Sequence, residues 1–69
     1  MEKEIKIVLA VRDDKALYLF KREAPGYTTT EFVVGYTIGS PMIGDFVDGW
    51  ANGHYFMNLE DAARYLRIV

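Results

Sequence analysis

Ser40 and His54 are the only serine and the only histidine in the chain, so a serine–histidine catalytic pair could be built only from these two. A serine triad needs hydroxyl, imidazole and acid within hydrogen-bond reach. Ser40 instead precedes Pro41 in a glycine-flanked loop, His54 follows Asn52-Gly53, and no Gly-x-Ser-x-Gly elbow raises a hydroxyl above a sheet. The plainer reading is a loop serine and a turn histidine. Asp45 and Asp48 are the next candidates, as an acid–base pair or a divalent-metal site. They stand three apart in a segment that reads as a strand, so their side chains are expected on opposite faces.

The glycines at 35, 39 and 44 have the rough spacing of a phosphate loop, yet the Lys-Ser/Thr that reaches phosphate and metal is missing. Turn chemistry accounts for them. Tyr27, Tyr36, Trp50, Tyr55 and Phe56 could stack on nucleic-acid bases, but no Lys or Arg is interleaved to hold the backbone. With no cysteine and one histidine, disulfides, thiolate centres and His-rich metal sites are excluded. No enzyme, metal or cofactor is expected, a hydrolase being the least favoured reading.

Charge distribution points elsewhere. Between Arg22 and Arg64 there is no Lys or Arg, while Glu23, Glu31, Asp45, Asp48, Glu60 and Asp61 all fall in that interval. Phosphate contacts need cations, so direct nucleic-acid binding through this half is not expected. Its electrostatic complement is a basic protein surface. Tyr and Trp are the residues that most often anchor protein interfaces. The expected contact residues are therefore Trp50, Tyr55, Tyr36, Asp45, Asp48 and His54. The competing reading is that the acids are a solvated face, two of them serving the first turn of a helix.

The elements that must carry these residues follow from periodicity. Ile5, Ile7, Leu9 and Val11 alternate as on a strand, and Asp13-Asp14-Lys15 makes a polar turn into a second strand, Ala16 to Arg22. A three-residue loop would set Val11 beside Leu17 and Leu9 beside Leu19; a two-residue loop would pair Ala10 with Leu17. The first gives the more uniform apolar face and is preferred. Ala24-Pro25-Gly26-Tyr27 reads as a turn, and Thr28 to Ile38 as a long strand. After a loose stretch from Gly39 to Gly44, Asp45 to Ala51 reads as a strand in which Gly49 marks a bulge or close packing under Phe56. Asn52-Gly53 suits a two-residue hairpin turn, which would place Trp50 opposite Tyr55. Asn58 then caps a helix from about Leu59 to Ile68, with Leu59, Ala62, Ala63 and Leu66 as its apolar stripe.

One α+β domain over residues 1–69 results: a four- to five-stranded antiparallel sheet of hairpins with one C-terminal helix on one face. The other face would carry several of Val8, Tyr18, Phe20, Val33 and one side of the Trp50 hairpin. That is too apolar for water, so the sheet must curl or a second molecule must cover it. At 69 residues without disulfides, self-association is a natural staple. The apolar run from Ile7 to Val11 is too short for a signal-peptide core, and a cytoplasmic setting is expected. The functional expectation is a small interaction module that docks on a basic partner protein, as an inhibitor or regulator of a nucleic-acid-binding protein. The alternative is a homodimeric accessory protein joined through its apolar sheet face.

Overall fold

A computed structural model describes residues 2–69. Four antiparallel strands, β1 (Lys3–Arg12), β2 (Lys15–Ala24), β3 (Tyr27–Tyr36) and β4 (Ala51–Phe56), lie in the order β1-β2-β3-β4, and α1 (Leu59–Ile68) follows. The domain is α+β, with the helix packed across β2, β3 and β4.

The β2–β3 turn follows directly from its residues. Ala24 pairs with Tyr27 across Pro25-Gly26, and Gly26 takes the φ of 91° that a side chain would resist. The first hairpin takes the two-residue loop rather than the three-residue one. Arg12 pairs with Lys15 and Ala10 with Leu17, and Asp13 adopts a φ of 55°. Uniformity of the apolar face is recovered further along, by a bulge at Leu9 between the pairs Val8–Tyr18 and Ala10–Leu17. Leu9 and Ala10 consequently pack on the same face, against the helix side of the core.

Two small cores result, one on each side of the sheet. On the helix side, Leu17 and Val34 bury Ala62 and Leu66 of α1, with Phe32, Phe56 and Tyr65 around them. Asn58 caps the helix, its side-chain oxygen accepting from the Asp61 N–H at 2.9 Å. At the other end Arg12 of β1 donates from Nη1 to the carbonyls of Leu66 (2.7 Å), Arg67 and Val69, where the helix dipole favours a cation. The buried stripe is Ala62 and Leu66 with Tyr65 beside them; Leu59, expected in it, is half exposed.

The second core is Val8, Ala16, Tyr18 and Val33, with Phe20, Val47 and Trp50 packed against it. The apolar face opposite the helix is thus the one expected, but the chain covers it by itself. Residues 37–50 leave β3 beside the β1–β2 turn, where Thr37 N–H donates to Asp14 O at 2.9 Å. They then run along the outer edge of β1, bonding Gly44 N–H to Val8 O, Val8 N–H to Asp45 O and Val47 N–H to Lys6 O. Finally they cross beneath the sheet, place the Trp50 indole on Tyr18, and enter β4 at the opposite edge. No regular strand spans Asp45 to Ala51; a single bridge, Ile7 with Phe46, is what forms there.

Asn52-Gly53 is not a hairpin turn either. It is a bulge inside β4: Val34 pairs with His54 and Tyr36 with Ala51, so two residues stand opposite Gly35. Asn52 takes the positive φ (52°) that the pattern had suggested for a turn. The close packing expected at Gly49 occurs at Gly53 instead. A Cβ on Gly53 would lie 2.5 Å from Trp50 Nε1 and 3.0 Å from Val33 Cγ1, whereas one on Gly49 would meet nothing.

Candidate functional site

Trp50 sits mostly buried in the second core, 4.7 Å from the Tyr18 ring centroid and 5.5 Å from that of Phe20. Its outer edge meets Tyr55 at 6.3 Å, with Nε1 donating to the tyrosine hydroxyl at 3.4 Å. Trp50 and Tyr55 do stack edge to face, but as packing of the crossing segment on β4 rather than as a cross-strand pair. Tyr36 and His54 lie on the other side of the sheet. With Lys15, Val34, Asn52 and Tyr65 they line a cleft of about 120 Å³, in which the His54 ring stands 4.9 Å from Tyr65. A space that small holds waters or a group of a few atoms, well short of an ordinary ligand pocket of roughly 300 Å³ or more. The six expected contact residues therefore do not converge: two lie on one face, two on the other, and the two aspartates lie on the β1 edge.

At that edge the structure assembles something else. The carboxylate of Asp45 accepts from Met42 N–H at 2.9 Å while Asp45 N–H donates to Met42 O at 3.0 Å, closing a tight turn. The turn holds Met42 and Ile43 outward. Phe46 bridges Ile7 of β1 and leaves its ring largely exposed. Ile38, Met42, Ile43 and Phe46 are 67, 71, 69 and 75% exposed, four large apolar side chains within nine residues. Single exposed apolar residues are ordinary, but four this close in sequence are more than a loop of this length usually leaves to water. Beside them a shallow groove of about 220 Å³ runs between Ile38, Phe46, Val47, Asp48 and Gly49.

The acidic interval also resolves into parts. Glu23 pairs with Lys21 (3.6 Å), Glu31 with Arg22 (3.4 Å) and Asp61 with Arg64 (3.5 Å). Asp45, Asp48 and Glu60 have no ion-pair partner among the described residues. Two of these three flank Phe46. Lys6 of β1 reaches this segment, its ammonium donating to the Asp48 carbonyl at 2.9 Å and pairing with Glu4 at 3.4 Å. The uncompensated acid and the exposed apolar surface thus occupy the same segment.

Ser40 lies in this segment and His54 in the cleft under the helix, with no hydrogen bond joining them among the described residues. Gly39 and Gly44 are loop residues and no helix begins beside them. Among the described residues no three His, Asp or Glu side chains cluster as metal ligands, and no helix is long and apolar enough to cross a membrane. Ile38, Met42, Ile43 and Phe46 escaped the sequence reading. A signal was available for two of them: Met42 and Ile43 fall in the loose stretch between Gly39 and Gly44, with no strand or helix to bury them, whereas Ile38 and Phe46 were expected on strands. Compared with protein-family models, curated proteins and solved structures, the chain finds no match.

Proposed function

We propose that this chain is a small non-catalytic interaction module of the cytoplasm, which docks a partner protein of basic, partly apolar surface on residues 38–48. Occupying that surface regulates the partner, which in the favoured case is a nucleic-acid-binding protein held off its ligand. The observation that carries this reading is the coincidence of four exposed apolar side chains with Asp45 and Asp48 in a segment lacking any cation. Apolar anchors supply the affinity of such a contact, and the acids steer a basic partner and reject acidic ones. The segment is itself pinned by three backbone hydrogen bonds to β1, so little ordering entropy is lost on docking.

Phe46→Ser tests the placement, because a ring 75% exposed can be removed without opening a core. Immobilised wild-type chain should retain a protein from extract of the native cell, released by salt and displaced by added nucleic acid. Phe46→Ser should melt like the wild type and retain none of it. Equal retention by the two proteins refutes the docking surface, and retention indifferent to nucleic acid refutes the regulatory role.

A further inference from the structure

The sheet protects its edges unevenly. The outer edge of β1 is covered by residues 44–47 and carries Lys3, Glu4 and Lys6, and β4 is short and bulged, all devices that discourage strand addition. One stretch has no such device. The β2–β3 ladder runs out to Ala24–Tyr27, but β4 pairs with β3 only from Phe32 onward. After Phe56 the chain turns away into α1, so Tyr27, Thr28, Thr29, Thr30 and Glu31 have a neighbour on the β2 side only. Among the described residues they make no backbone hydrogen bond beyond that ladder. Tyr27, Thr28 and Thr30 are exposed, and the stretch contains neither Lys nor Pro.

We infer that this free edge pairs with the same edge of a second copy of the chain, antiparallel about a two-fold axis at Thr29, joining two sheets into one of eight strands. Three features select a second copy over a foreign strand. The free stretch is five residues long, ended on one side by the Pro25-Gly26 turn and on the other by Phe56 against Phe32. An antiparallel partner of the same length fills it and turns away before meeting β4. Centring on Thr29 sets Tyr27 opposite Glu31 and Thr28 opposite Thr30, so no like charges face each other. Glu31 is already paired with Arg22. The pairing also works whichever alternate residues point outward: 27, 29 and 31 bond across the axis in one phase, 28 and 30 in the other. The partner's Tyr27, 54% exposed in the single chain, then comes beside Met57, the most exposed large apolar residue at 79%. The interface lies at the opposite side of the sheet from Phe46, so neither surface depends on the other.

The chain has no cysteine, which makes a crosslinking test clean. Across the axis Thr29 faces its own copy at about 5 Å between Cα atoms, within disulfide range. Position 27 lies about 14 Å from its own copy, out of range. Thr29→Cys should oxidise to a covalent dimer at least about tenfold faster than Tyr27→Cys. Wild-type chain should sediment as a monomer–dimer equilibrium between micromolar and millimolar concentration. Thr29→Lys, which opposes two ammonium groups, should weaken that dimer about tenfold or more. A wild type that stays monomeric throughout, leaving the edge to a foreign strand, overturns the inference. So does equal oxidation of the two cysteine variants, or a dimer that survives Thr29→Lys but is lost in Phe46→Ser.

Discussion

Trp50→Ala is the substitution that separates a structural tryptophan from a contact tryptophan. The indole covers Tyr18, touches Phe20 and Tyr55, and rests over Gly53, closing the side of the sheet that α1 does not reach. Removing a fully buried Trp costs about 3–5 kcal/mol. Trp50 is mostly rather than fully buried, and scaling for the exposed remainder leaves about 2–4 kcal/mol. A domain of this length has a total stability of roughly 3–10 kcal/mol. The loss is therefore a large share of the whole, and should lower the melting temperature by about 10–30 °C. Far-UV circular dichroism in urea is the suitable assay, because the variant has no tryptophan left to report. A loss under about 1 kcal/mol is what surface positions show, and would refute the view that this segment seals a core.

Gly53→Ala attacks the same contact from the other side: its methyl would start 2.5 Å from Trp50 Nε1, forcing the ring outward, and should cost about 1–3 kcal/mol in the same urea titration. Tyr18 is fully buried and its hydroxyl has no hydrogen-bond partner among the described residues, so Tyr18→Phe should raise stability by about 1 kcal/mol, read from the denaturation midpoint. Burial also pushes the Tyr18 phenol up from its ordinary value, so the unfolded chain loses this proton before the folded one does. Stability from this group is complete below about pH 10 and falls as pH rises from there through the folded value. Alkaline melts should show that fall in the wild type and a smaller one in Tyr18→Phe.

Much of the fold was legible because local chemistry decides it. Pro25-Gly26 can make little but a tight turn, and Asn58 ahead of Leu59, Glu60 and Asp61 starts a helix wherever that helix docks. Alternation along β1, β2 and β3 placed Val8, Tyr18, Phe20 and Val33 together on the face away from α1. The candidate site was less legible. Exposure of Ile38, Met42, Ile43 and Phe46 depends on residues 37–50 travelling to the β1 edge, and that route is set by hydrogen bonds to Lys6 and Val8, distant in sequence.

Asn52-Gly53 shows where the boundary falls. The sequence alone determined that Asn52 would accept a left-handed backbone, since that is a property of the residue and its neighbour. It could not determine whether that kink would reverse the chain or be absorbed as a bulge. A hairpin and a bulge use the same local conformation and differ in what stands opposite. Here β3 offers Gly35, with room for two residues and for the indole beneath them, and the apolar face of Tyr18 and Val33 needs Trp50 over it. Burial of that face is a nonlocal term of several kcal/mol, larger than the preference between two turn types, and only the assembled sheet could apply it.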